Sequence, residues 1–341
     1  MNTFSSVKEV IAPFNPFHFE SLVWDWPIAV YLFLVGISAG MVIIAIILKI
    51  FVLDPKGIKA NENAIMKAMA IVAPISVMFG LFILIFHLSR PWHFWKIMVF
   101  YSPVSVMSIG VVLFQLYMIA LFIWLFVLFE KEVMHFLKTG FLKAITSLNF
   151  IQTILNFVLK IAKKIMPFLQ WTSLILALSL GAYTGFLLSA LKSYPLLNNP
   201  VLPVLFMFSG ISSGAAACVL CALTWFKENT HSESIALIHK LETPVVLMEI
   251  FLLFAFFMGH YYGGGQKTVA VINALGSGFW AQSFWIGVVG VGIIIPLSLS
   301  FILNKKIKHT KTYLVMVASM TLIGVFILRH FILYAGQMTL A

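Results

Sequence analysis

The chain has 341 residues, of which 62% are hydrophobic and only 10% are charged. Soluble domains are about 45–50% apolar and about 25% charged, so this composition excludes a soluble protein and indicates a polytopic helical membrane protein. The net charge of +11 does not indicate nucleic-acid binding, because the basic residues are scattered through the predicted loops. Cys218 and Cys221 are the only cysteines, and their place in one apolar segment excludes a disulfide scaffold. We interpret them as small core residues.

The first 27 residues lack the Lys/Arg cluster of a cleavable signal and are rich in aromatic residues and proline. We predict that residues 1–27 form an interfacial segment with an aromatic belt. Eight apolar segments follow, and each has the roughly 20 residues needed to cross the hydrocarbon core. These predicted spans lie near 28–52, 64–88, 103–129, 168–190, 201–226, 243–262, 280–303 and 313–334.

The loops predict the orientation of the chain. Sixteen of the 22 Lys and Arg residues fall at the connections after spans one, three, five and seven, and six fall on the other side. The positive-inside rule therefore predicts that both termini are periplasmic. Within the connection between spans three and four, residues 131–167 alternate lysines with apolar residues. This pattern predicts an amphipathic helix on the cytoplasmic surface.

A small-residue motif occurs twice. The motif at 36–40, Gly-Ile-Ser-Ala-Gly, recurs at 210–214 as Gly-Ile-Ser-Ser-Gly, and a Leu-Phe pair precedes each copy. Glycines four residues apart on an apolar helix allow a neighbouring helix to approach closely. His87 and His260 match at nearly the same offset, and a unit of four spans restores the orientation. We therefore predict two parallel-repeat four-helix bundles, formed by residues 28–190, including the 131–167 connection, and 201–334.

Ionisable residues at membrane depth are functional candidates by default, because burying them in lipid is costly. Glu249 lies well inside span six, where it is either a station on a proton path or a protonated acid hydrogen-bonded between helices. Arg329, near the outer end of span eight, pairs with a carboxylate, holds a polar site or extends outward to water.

Polar residues also gather at the predicted outer ends, where they can bond carbonyl oxygens at a pocket rim or relay protons. This group consists of Asn15, His18, Asp25, His87, Arg90, His93, Tyr183, His260, Tyr261, His330 and Gln337.

Five motifs, spread over nearly the whole chain, together resemble the NrfD/PsrC-like family of polysulfide reductase membrane subunits. They are the segments 31–40, 87–92, 181–185, 205–214 and 334–337. The resemblance implies an all-α integral membrane fold of eight transmembrane helices in two four-helix bundles. It also implies a location in the bacterial cytoplasmic (inner) membrane.

The family resemblance implies a function as well. Such subunits exchange electrons with menaquinone or ubiquinone and carry no haem or metal of their own. They dock a four-cluster iron–sulfur protein on the periplasmic face, which connects to a molybdopterin catalytic subunit or a multihaem cytochrome. The terminal substrate is set by that partner.

The resemblance also implies site residues. The quinone site of polysulfide-reductase-like members uses an Asn-x-x-His pair before span one and a Tyr in span four, which match Asn15, His18 and Tyr183. We predict that His87 and Arg90 contribute to the same site. The predicted proton path consists of Glu249, Asp25 and Arg329.

Two alternatives stay open at the level of sequence. The protein could be a haem b quinol-oxidising subunit with His87 and His260 as axial ligands. It could also be a secondary transporter in which Glu249 and Arg329 serve the substrate path.

Overall fold

The structure, a computed structural model, describes residues 15–88, 90–139 and 149–340. This part of the protein contains eight helices that are long and apolar enough to span a membrane, which confirms the predicted number. It forms no strand, and Asn15 and His18 make an isolated bridge. The eight helices are α1 (Trp26–Leu48), α2 (Ala64–His87), α3 (Val106–Leu128), α4 (Asn149–Ser189), α5 (Leu202–Thr224), α6 (Glu233–Tyr261), α7 (Phe279–Ile302) and α8 (Lys311–Gln337).

Shorter helices occupy the connections. They include Pro91–His93 and Phe94–Val99 before α3, Glu130–Thr139 after it, and Gln266–Gly276 before α7. Residues 1–14 and 140–148, which belong to two of the predicted segments, lie outside the described residues.

Side-chain caps mark the start of several long helices. Asn63 accepts from backbone N–H groups of the first turn of α2, and Ser105, Ser232 and Thr310 do the same for α3, α6 and α8. Such caps satisfy backbone donors that have no partner within the helix. The polar residues between these spans therefore fix where each of these helices begins.

Helix α4 begins well before residue 168, where the fourth span is predicted to start. Asn149–Ser189 is a single helix of 41 residues that contains Pro167. Lys160, Lys163 and Lys164 lower the hydropathy of its first half without interrupting the backbone hydrogen bonds. The predicted location of residues 131–167 on the cytoplasmic surface stays a prediction.

Helix α6 likewise begins at Glu233, ahead of the predicted start near residue 243. His239, Lys240 and Glu242 make its first turns too polar to count as membrane span, yet all are compatible with a helix. Pro244 lies inside the helix. Hydropathy therefore predicts which residues are apolar enough for the membrane and says less about where a helix starts.

The two copies of the glycine motif pack directly against each other. Helices α1 and α5 form the most extensive helix–helix contact among the described residues. A Cβ atom added at Gly40 would lie 1.9 Å from the carbonyl oxygen of Gly210, and one at Gly214 would lie 2.2 Å from the carbonyl carbon of Gly40. The predicted close approach at the motif is confirmed, and it joins the two halves of the chain.

Within the halves, α1 packs on α2 and α4, α3 on α2 and α4, α5 on α6 and α8, and α7 on α8. The middle of α7, Ser283–Ile294, is π-helical, and its Gly292 packs against Gly324 of α8. The parallel-repeat relation between the halves and the periplasmic position of both termini stay predictions.

The segment before α1 is tied to the end of α8. The backbone N–H groups of Val23 and Trp24 donate to Gln337 Oε1 at 3.0 and 2.9 Å, and Ser21 Oγ donates to the Gln337 carbonyl at 2.6 Å. We call this end of the molecule the outer end, after the predicted orientation, and the opposite end the inner end.

Candidate functional site

Tyr183 lies in a tight niche between α3 and α4. Its side chain is buried, and its ring meets that of Phe114 edge-on with centroids 6.0 Å apart. Gly110 lies directly against the phenol, since a Cβ added there would be 2.1 Å from the hydroxyl oxygen. Among the described residues this hydroxyl has no hydrogen-bond partner. The hydroxyl oxygen is not among the fully buried unpaired atoms of the described residues, so it keeps some exposure and can donate to a bound molecule.

Asn15 and His18 form a tight turn before α1. The backbone N–H of Phe17 donates to Asn15 Oδ1 at 3.0 Å, and that of His18 donates to the Asn15 carbonyl at 3.1 Å. The Phe17 ring packs against Trp280 and Tyr334, with centroids 5.2 and 5.6 Å away. The turn is thereby fixed to the outer ends of α7 and α8, with Asn15 and His18 both exposed.

Asp25 and His87 meet at the outer ends of α1 and α2. His87 Nδ1 lies 3.3 Å from Asp25 Oδ1, and both side chains are partly exposed. The contact lacks hydrogen-bond geometry, so it is an electrostatic one. Arg90 follows α2 and is exposed.

The structure therefore brings together only some of the residues predicted for the quinone site and the proton path. Asp25 pairs with His87, and Asn15 with His18. Tyr183 packs against α3, whereas the Asn15–His18 turn packs against α7 and α8. Among the described residues, no contact joins Tyr183 to that turn.

Arg329 is fully buried in the middle of the helix bundle. Its Nη2 donates to the Phe206 carbonyl at 3.0 Å and to Ser209 Oγ at 2.7 Å, and its Cζ lies 3.7 Å from the centre of the Phe206 ring. Nε and Nη1 have no hydrogen-bond partner within the described residues. A guanidinium in this setting is costly unless a negative charge or a polar group offsets it. Arg329 thus holds a buried polar site and does not extend outward to water.

Glu249 is also buried, and it interacts electrostatically with Arg329. It faces the hydroxyl of Ser212, one turn along α5 from Ser209, which binds Arg329. Because residues three apart share a helix face, the two serines form a polar stripe that connects the acid to the base. The two charges do not form a direct ion pair in the described part of the protein, so one proton can move on or off Glu249 without breaking a bond to Arg329.

Sequence reasoning missed Gly110 and Ser209. Nothing in the spacing of the sequence connects Gly110 to Tyr183. Ser209 does carry a signal, since the matching position of the first motif copy is Val35. A polar residue in only one copy of a repeated motif marks a site that only one half of the chain contains.

His260 is enclosed by hydrogen bonds. Its Nε2 donates to the Pro195 carbonyl at 3.0 Å, and its Nδ1 lies 2.9 Å from the side-chain nitrogen of Asn199. The side chain is 1% exposed. Both ring nitrogens are therefore used by the protein, and His260 serves to hold the Pro195–Asn199 segment against α6.

Comparisons with known proteins decide the family. The family model described as "Polysulphide reductase, NrfD" matches residues 14–341. The chain belongs to the NrfD family. It is 48% identical to "Protein NrfD" of Escherichia coli over 96% of this chain and 99% of that protein. It is 42% identical to a polysulfide reductase component of Wolinella succinogenes over 94% of this chain and 96% of that protein.

A more distant relative is a selenate reductase component of Mesobacillus selenatarsenatis, 24% identical over 81% of this chain and 66% of that protein. With eight apolar helices among its described residues, this NrfD-family chain is a multi-pass protein of the bacterial inner membrane. The family consists of membrane subunits of respiratory oxidoreductase complexes.

Proposed function

We propose that this NrfD-family chain is a quinone-reactive anchor that passes electrons between a membrane quinol and an iron–sulfur partner on the periplasmic face. The observation that carries the proposal is Tyr183, whose ring packs edge-on against Phe114 and whose hydroxyl has no hydrogen-bond partner among the described residues. A phenol in such a niche can donate to a quinone carbonyl oxygen and accept from a quinol hydroxyl. Phe114 contacts the rings of both Tyr183 and Tyr31, so the surroundings of the phenol are aromatic and suit an aromatic ligand.

A bound quinol supplies two electrons and two protons. Tyr183 orients one ring oxygen, and the exposed Asn15–His18 turn is the proposed contact for the other, together with His87 and Arg90. The turn is separate from the Tyr183 niche in the described structure, so Tyr183 is the principal anchor in this proposal. The Asp25–His87 pair lies at the outer surface, where it can pass protons to water.

The proposed partners are an iron–sulfur subunit of four clusters and, through it, a molybdopterin enzyme or a multihaem cytochrome. The relatives named as parts of a polysulfide reductase and of a selenate reductase support a place in a multisubunit reductase. The two relatives are named after different substrates, polysulfide and selenate. We therefore assign the choice of substrate to the partner.

A mild-detergent purification of the tagged chain tests this proposal. Mass spectrometry should find an iron–sulfur protein and a redox enzyme bound to it, and the complex should oxidise a soluble menaquinol analogue. Recovery of the protein without any redox partner, in a preparation that keeps other respiratory complexes intact, would contradict the proposal.

The haem alternative loses support from the hydrogen bonds of His260. An axial ligand needs a free ring nitrogen, and both nitrogens of this residue already have protein partners. His87 pairs with Asp25 at the surface. An absorption spectrum of the isolated protein distinguishes the two functions, because a haem b subunit would show a Soret band.

The Gly110→Ala variant tests the niche without altering Tyr183 itself. The new methyl group would overlap the phenol, so the Tyr183 ring has to shift from its place against Phe114. We expect some loss of thermal stability, because the niche is tight, and a clear fall in quinol oxidation by the complex. Gly181→Ala, whose Cβ would lie 3.6 Å from its nearest neighbour, is the matched control. Equal turnover of the two variants would argue against a role for the niche.

Glu249→Gln tests the proposed proton path. The substitution keeps the size of the side chain and removes its ability to exchange a proton. We expect a lower proton-to-electron ratio in proteoliposomes at a nearly unchanged KM for quinol. Glu62→Gln, at an exposed position of the short helix Ala60–Glu62, should leave the ratio as it is. A normal ratio in Glu249→Gln would remove Glu249 from the path.

A further inference from the structure

A cavity of about 270 Å³ lies at the inner end of the molecule, among α6, α7 and α8. Helices α6 and α7 pack only loosely, and the cavity occupies the gap between their inner halves. Its mouth is polar, lined by His239, Glu242, His309 and Tyr313. Its upper wall includes Val246 and Thr321, and the volume is large enough to hold water.

The imidazoles at the mouth have spare hydrogen-bonding capacity. His239 Nδ1 lies 3.2 Å from Glu242 Oε2, while its Nε2 is buried without a partner among the described residues. Nδ1 of His309 is likewise buried without a hydrogen-bond partner among the described residues, and the ring centroid of this residue lies 4.7 Å from that of His231. Buried polar nitrogens are usually paired, and water in the adjoining cavity is the group at hand.

The helix geometry directs the cavity toward Glu249. Glu242, Val246 and Glu249 are spaced i, i+4 and i+7, so they follow one face of α6. Val246 lines the cavity, and Glu249 comes about 4.5 Å further along the helix axis. On α8, Tyr313 and Thr321 line the cavity. Arg329 follows further along the helix, at the same spacing of eight residues. The cavity therefore ends about one helical turn short of the buried acid.

We propose that this cavity is a water-filled inlet through which Glu249 exchanges protons with the aqueous phase at the inner end. The step involves proton transfer alone. A proton from the inner water passes along hydrogen-bonded water, beside Glu242 and His239, to the Glu249 carboxylate, and the inner phase replaces it. Lys308, His309 and Tyr313 are the other titratable groups that line the space.

The inlet rests on the proposed proton role of Glu249 and on the predicted orientation. It adds to that role the side of the membrane from which Glu249 takes its proton. It also implies that water reaches Thr321 from the inner side regardless of whether quinol is oxidised at Tyr183.

Cysteine accessibility tests the inlet directly. Cys218 and Cys221 are buried and would be replaced by alanine. Thr321→Cys and Val317→Cys then place single thiols on the cavity wall, and Ile323→Cys places one on the bilayer side of α8, where the residue is 50% exposed. A charged, membrane-impermeant methanethiosulfonate reacts with thiolates, which form in water and hardly at all in lipid.

We expect both cavity thiols to react in inside-out vesicles, with Val317→Cys faster than Thr321→Cys. Each should react at least about tenfold faster than Ile323→Cys, because only hydrated thiols ionise readily. In right-side-out vesicles all three should stay unmodified.

A lack of reaction at both cavity positions, in protein with a normal size-exclusion profile, would overturn the inlet. Reaction from the right-side-out face would overturn both the inlet and the orientation. The labelling does not depend on quinol turnover, so it remains decisive even if the quinone proposal fails.

Discussion

Replacing Gly40 with alanine should cost roughly 3 kcal/mol or more in the free energy of unfolding, the upper end of the range for overpacking a core. The added Cβ would lie 1.9 Å from the carbonyl oxygen of Gly210 and 2.9 Å from the Cα of Gly214. Both are backbone atoms, so no rotation of a side chain can relieve the overlap. Helices α1 and α5 would have to move apart. This would weaken the most extensive helix–helix contact among the described residues.

Thermal unfolding of the purified protein in detergent measures this effect, with size-exclusion chromatography reporting the folded fraction. Gly80→Ala is the matched control, because its Cβ would make only ordinary contacts at 3.5 Å. Alanine also favours helix more than glycine does, so the control should be neutral or slightly stabilised. If Gly40→Ala unfolds at the wild-type temperature, the close packing of the two motifs is wrong.

Tyr183→Phe should reduce quinol oxidation about 100-fold, the usual effect of removing one well-placed hydrogen-bond donor from a reaction site. The ring and its contact with Phe114 are retained, and the hydroxyl has no partner among the described residues whose loss could unfold the protein. Expression, membrane insertion and partner binding should therefore be normal. Turnover with a soluble quinol analogue, measured on the purified complex, gives the result.

Tyr117→Phe is the control for Tyr183→Phe. Tyr117 is fully buried on α3, and its hydroxyl lies 3.0 Å from Ser38 Oγ. Loss of the Tyr117 hydroxyl should lower the free energy of unfolding by about 1 kcal/mol, the net contribution of a typical hydrogen bond. Quinol turnover should stay unchanged. The opposite pattern, with activity lost in Tyr117→Phe and kept in Tyr183→Phe, would move the proposed site away from the niche.

The sequence predicts the number of spans well, because the cost of burying charge in lipid leaves long apolar segments that are easy to recognise. It also predicts that a neighbouring helix approaches closely at each glycine motif, but not that the two motifs pack against each other. It predicts the starts of α4 and α6 poorly. The early parts of these helices carry polar or charged residues, Lys164 in α4 and His239 and Glu242 in α6, which avoid lipid but are compatible with a helix.

The candidate site was only partly predictable. The motif around Tyr183 identifies the residue, but its environment comes from Gly110 on another helix, and no local pattern encodes that pairing. Similarly, Arg329 and Glu249 stand out as charges in apolar segments. Ser209 and Ser212 lie between these two charges because of the rotation of α5 about its own axis relative to α6 and α8. The glycines on the opposite face of α5 determine that rotation.

The hydrogen bonds of Gln337 have a consequence for biogenesis. Residues 21–24 leave the ribosome early, but the side chain that holds them is made only at the end of the eighth span. During synthesis this early segment must therefore wait without its anchor while the helices that follow it insert. Its docking is one of the last steps of maturation, and a partner that recognised the docked segment would bind only finished molecules.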